Sequence, residues 1–91
     1  MTFMTNEDRA RRGADAMIAY TRDDYTAKVL QEVPVADWGE TGQEVLQDLL
    51  NDLRHLADMA GLDFDLADYS GERSYIEELI EEAIQAKEEQ A

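Results

Sequence analysis

The sequence predicts an all-α domain, a small bundle of three to four helices around a central leucine-rich helix at about 42–60. Three observations carry that prediction. Apolar residues recur at three- and four-residue intervals in the middle and last thirds of the chain, the period of a helix face. Thr, Asp and Ser residues stand at the starts of these stretches with the spacing of helix caps. Ninety-one residues with 44% apolar content give one domain with one core, and no room for a deep catalytic cleft beside it.

The elements follow in order. Residues 1–4 read as a frayed start, with Phe3 or Met4 placed to pack as a hydrophobic staple. Thr5 and Asp8 form a cap-like pair that opens a helix to about Tyr20. Its apolar positions, Ala10, Ala14, Met17, Ile18 and Thr21, make a narrow alanine-rich stripe. Asp23 and Asp24 can cap a short helix at about 24–32 with Tyr25, Val29, Leu30 and Val33 on its apolar side. The β-branched residues of KVLQEVPV leave an extended strand open as the alternative over 22–36. Pro34, the only proline, closes this segment, because the residue before a proline is pushed out of the helical region. Residues 34–40 read as a loop carrying Trp38, which serves either as a lid over the core or, if exposed, as a binding anchor.

The central helix has the clearest signature. Thr41 and Glu44 are spaced as a capping box, Leu46, Leu49, Leu50, Leu53, Leu56, Ala57 and Ala60 share one face, and Gly61 stands where a left-handed C-cap belongs. Beyond it, Phe64, Leu66 and Tyr69 are expected to cover the helix end in a short helical turn. Ser70-Gly71 then kinks or restarts the helix, and Ile76, Leu79, Ile80, Ala83 and Ile84 face inward. Residues 88–91 read as frayed.

Charge is the unusual quantity. Twenty-two acids against eight bases give −14, beyond the magnitude of about 2–8 that solubility alone needs. Residues 1–33 carry five bases and six acids, for a net of −1. Residues 34–91 carry three bases and sixteen acids, for a net of −13. Such a surface repels nucleic acid and anionic membranes and attracts basic proteins. On the last helix, Glu77-Glu78, Glu81-Glu82 and Glu88-Glu89 form two parallel ridges with little lysine to relieve them. Like charges at i,i+4 cost a helix about 0.2–0.5 kcal/mol per pair, so a face kept negative for a basic partner is one reading and a merely solvated face the other.

Catalysis has few parts to draw on. There is no cysteine and one histidine, His55, beside Arg54 with no nucleophile at a recognisable spacing. Ser70 and Ser74 lie outside any nucleophile elbow, and no phosphate loop or dinucleotide fingerprint is present. Asp63, Asp65 and Asp68 cluster, but an EF-hand loop counted from Asp63 puts Ala67, Asp68 and Ser74 at positions that need an oxygen ligand, glycine and glutamate. These aspartates read as caps and surface charge. The sequence therefore predicts no enzyme, no cofactor and no metal.

Three stretches, TNEDRARRGADAMIAY, DLLNDLRHLADMAGLDFD and SYIEEL, resemble small proteins encoded by phages and other bacterial mobile elements. The resemblance covers residues 5–22 and 48–79 loosely and omits the loop with Pro34 and Trp38. In size, charge and origin the chain is also similar to anti-CRISPR proteins, some of which bind host immune complexes and occupy sites meant for DNA. The resemblance implies a bacterial host; the lack of an apolar run as long as a membrane span or signal core points to the cytoplasm, and the −13 asymmetry with the glutamate ridges to a DNA mimic. Its partner would be a basic nucleic-acid-binding protein or CRISPR effector complex, with neither nucleic acid nor membrane bound directly. The partner-binding residues expected on this reading are Asp48, Asp52, Asp58, Glu77, Glu78, Glu81, Glu82 and Trp38. The alternative is a regulatory, adaptor or antitoxin-like helical module, or a homodimer, joined through an apolar interface such as the alanine stripe of the first helix.

Overall fold

The computed structural model describes residues 4–90. It contains α1 (Asn6–Tyr20), α2 (Asp24–Glu32), a 3-10 turn over Val35–Asp37, α3 (Gly39–Ala60) and α4 (Phe64–Gln90). Among the described residues there is no strand, so the protein is a small all-α bundle and residues 24–32 are helical.

Local sequence fixes most of the helix ends. The Thr5 hydroxyl accepts from the Asp8 N–H and the Asp8 carboxylate accepts from the Thr5 N–H, a complete capping box at the start of α1. These bonds hold the Asp8 carboxyl below its ordinary pKa, the backbone one contributing most. Asp23 caps α2 through the hydroxyl and backbone N–H of Thr26, and these bonds lower its pKa, the one from the hydroxyl contributing most. Gly61 ends α3 at φ +71°, and the Leu62 N–H returns to the Ala57 carbonyl at 2.8 Å. This is the left-handed closure that glycine permits.

Three expectations are overturned. The central helix does not start on Thr41: its formal cap is Trp38, without a side-chain cap bond, and Thr41 and Glu44 lie inside the helix. The reason is Gly39, whose φ of +54° turns the chain out of the 3-10 turn and lets the helix begin three residues early. For the same reason residues 34–40 are not an open loop. The second correction is at Ser70-Gly71, where α4 runs through without restart for 27 residues. Asp63 caps it, accepting from the Leu66 N–H at 2.9 Å. With helical turns established on both sides, propagation through one glycine costs only about 1 kcal/mol. The helix also continues through Glu88 and Glu89, where fraying is expected.

The third correction concerns packing. Two of the three buried apolar side chains among the described residues, Val45 and Ala57, lie on the central helix α3; α1 touches each of the other three helices but buries no residue of its own. Ala14, Met17, Ile18 and Thr21 are half-buried along it, while Ala10 is exposed. Met4 is exposed, with its sulfur accepting from the Arg12 guanidinium, and Phe3 lies outside the described residues. Among the described residues the buried apolar side chains are Leu30, Val45 and Ala57. Ile76, Leu79, Ile80 and Ile84 do not face a filled interior: each is 43–54% exposed. The cause is a shortage of covering surface. Two long helices each carry an apolar stripe, and only α1 and the nine-residue α2 are available to cover them.

Candidate functional site

The acidic residues fall into three groups that the fold does not merge. The first is the double ridge on α4, whose two lines do different things. On the inner line, Glu78 pairs with Arg9 of α1, and the Asn6 amide donates to the Glu78 carbonyl at 3.2 Å and to the Glu82 carboxylate at 2.6 Å. Glu78 and Glu82 therefore strap α4 to the start of α1. On the outer line, Glu77 and Glu81 are exposed, and among the described residues neither has a cation within ion-pair distance. Glu88 continues this line about two turns further on, also exposed.

The second group lies on α3 near the end of α1. Asp48 and Asp52 line a groove of about 560 Å³ between α1, α2 and α3, together with Tyr20, Arg22, Tyr25 and Glu44. Asp52 is engaged there: the Tyr20 hydroxyl donates to it at 2.6 Å. That bond, with smaller contributions from desolvation and from the carboxylate charge, pushes the Tyr20 pKa up to about 12. The third group sits at the α3–α4 turn, where Asp58 borders a shallow depression with Arg54, Gly61 and Phe64. The Arg54 guanidinium stands 4.2 Å from the centre of the Phe64 ring and pairs with Asp65 at 3.2 Å, closing the turn.

Trp38 belongs to none of these groups. It is half-buried, and its indole N–H is shared between the carbonyls of Leu30 and Val33 at 3.2 and 3.1 Å. Helix ends leave carbonyls without partners, and here the indole supplies one for the end of α2. Its ring also lies against the backbone of Gly42, which is buried.

Of the eight residues expected from sequence, then, Glu78, Glu82, Asp52 and Trp38 are occupied by contacts within the chain. Glu77, Glu81, Asp48 and Asp58 remain with their carboxylates available, spread over two helices. Arginine placement follows the same split: Arg9 faces the acidic ridge, while Arg11 pairs with Glu7 one turn back on its own helix. The Glu7 contact raises the Arg11 pKa. Among the described residues, no cluster of three or more His, Cys, Asp or Glu has metal-binding geometry.

A further surface escapes a reading that treats every periodic leucine as core. Leu46, Leu50, Leu53 and Leu56 on α3 are 39–52% exposed, at the i, i+4, i+7 spacing of one stripe. Ile76, Ile80 and Ile84 form a second stripe on α4. The signal that could have revealed them is in the sequence: two broad apolar faces against one narrow alanine stripe. The outer glutamates border the α4 stripe, so the surface combines an apolar seam with an acidic margin. Neither a protein-family model, nor a curated protein, nor a solved structure matches this chain.

Proposed function

We propose that this chain is an acidic inhibitor that docks on a basic nucleic-acid-binding protein and occupies the place of nucleic acid. A CRISPR effector complex in the cytoplasm of a bacterial host is the partner class we favour, as an anti-CRISPR protein would have. The observation that carries the proposal is the outer ridge of α4: Glu77 and Glu81 stand exposed and, among the described residues, without cation partners in a chain of net charge −14. One helical turn between them places carboxylates about 6 Å apart, close to the roughly 7 Å phosphate spacing along one strand of nucleic acid. The carboxylates would pair with Lys and Arg that otherwise hold phosphates, so target DNA could not enter. Asp48 and Asp58 extend the negative field on α3. No chemistry is assigned, and no cofactor is needed.

The test is capture of partners by the tagged full chain from bacterial lysate at low and high salt, with identification by mass spectrometry. The expected outcome is a basic nucleic-acid-binding complex, held at low salt, released at high salt and displaced by DNA. Changing Glu77, Glu81 and Glu88 together to Gln should weaken that binding at least about tenfold while leaving helicity intact, since these side chains hold none of the other described residues. Capture of a non-basic partner that survives high salt would sink the acidic mechanism. It would favour the second reading, a regulatory or antitoxin-like module working through the exposed leucine and isoleucine stripes.

A further inference from the structure

The unpartnered stripes of α3 and α4 have an occupant that the molecule itself specifies. We propose that a second copy of this chain packs its α3–α4 hairpin face to face against the first, making a four-helix dimer whose seam is built from Leu46, Leu50, Leu53, Ile76, Ile80 and Ile84.

The area argues for it. The chain exposes 7783 Å², whereas a compact protein of 10.3 kDa exposes about 5,400 Å². The excess is on the order of 2,000 Å², within the share that each subunit of an obligate homodimer buries. The radius of gyration, 16.0 Å, likewise exceeds the roughly 12 Å of a compact 91-residue domain. The area this chain fails to bury alone is therefore close to what one more copy would cover.

Folding argues for a copy rather than a foreign protein. Three buried apolar residues among those described are a small core, and a chain in that position depends on its partner to be stable. A second copy is present in equal amount wherever the chain is made. The seam is also self-complementary. Between Leu46 and Ala57 the stripe positions are leucine or alanine, with the acids displaced to the flanks, and two helix hairpins placed face to face give an antiparallel four-helix arrangement. Charge does not forbid it. The acids lie at the solvent margin, where salt screens them within about 8–10 Å. Arg12, Arg22, Lys28, Arg73 and Lys87 form no ion pair among the described residues and are available to the other copy's glutamates. On the alanine stripe of α1, the interface expected from sequence, Ala14, Met17, Ile18 and Thr21 are half-buried within the chain and Ala10 is exposed, leaving less apolar surface open than on the α3 and α4 stripes.

The inference is independent of the acidic-inhibitor reading, and its test uses the protein alone. Light scattering or sedimentation equilibrium on the full chain should give twice the 10.3 kDa chain mass at micromolar concentration, with a melting temperature that rises with protein concentration. Ile80→Asp, at a position 54% exposed in the single chain, should weaken the dimer by about 30-fold or more. Tyr25→Asp, 76% exposed on α2 and outside the seam, should leave mass and melting unchanged. A mass of 10.3 kDa at every concentration, with full helicity retained, would overturn the proposal. So would a dimer whose mass and melting ignore Ile80→Asp, because the seam would then lie elsewhere.

Discussion

Gly42 leaves no room for even one added carbon. A Cβ built there would lie 2.8 Å from the Trp38 Cβ and 3.3 Å from its Cε3, and the Trp38 Cβ cannot swing away because the indole is tied to the end of α2. Gly13 is the opposite case, helical with nothing within 4 Å of the same position. Both substitutions to alanine gain about 0.5–1 kcal/mol from helix propensity. Gly13→Ala should therefore stabilise the protein by about that amount in a urea or thermal melt. In Gly42→Ala the overpacking cost, about 1–3 kcal/mol, outweighs the gain and also shifts the Trp38 fluorescence. At this scale sequence reads caps well: Thr5 with Asp8, Asp23 and Gly61 act within four residues of where they stand, so spacing alone identifies them. It reads Gly42 and Thr41 poorly, because their roles depend on where Trp38 and Gly39 put the chain.

Elements are joined here by few contacts, which makes single side-chain latches informative. The Tyr20 hydroxyl ties the end of α1 to Asp52 on α3, and the bond exists only while the phenol keeps its proton. Its folded pKa of about 12 lies above the unfolded value of about 10. The stability it contributes is fully present below pH 10 and is lost as pH rises from there through 12. Absorbance at 295 nm should show one of the four tyrosines titrating late, and Asp52→Asn should bring it back toward 10. A titration in which all four tyrosines ionise together would mean that the α1–α3 latch is open. The same sparseness explains what sequence misreads between elements. Periodicity correctly places apolar faces on α3 and α4, but it reports only that a face is apolar, not that a partner exists for it within the chain. The strap formed by Glu78, Glu82, Arg9 and Asn6 was likewise hidden in a double ridge whose two lines look alike in sequence.

For the whole molecule, two kinds of surface lie side by side, and salt acts on them in opposite directions. The all-α class follows from periodicity and caps together. The extended shape does not, because it depends on how many apolar faces must share one core, a sum over the chain rather than a property of any segment. Joining two copies brings together bodies of −14 each, so their long-range repulsion opposes the apolar seam. Docking on a basic groove is driven by the same charge. Raising the ionic strength from about 0.1 to 1 M shortens the screening length from about 10 to 3 Å and weakens both effects. Self-association should therefore tighten with salt while capture of a basic partner is lost. Sedimentation of the chain alone and partner binding, followed across one salt series, should give slopes of opposite sign. If both fall together, the dimer is held by pairs between its bases and its outer glutamates rather than by the seam. The ridge would then be consumed by self-association and unavailable to a basic partner.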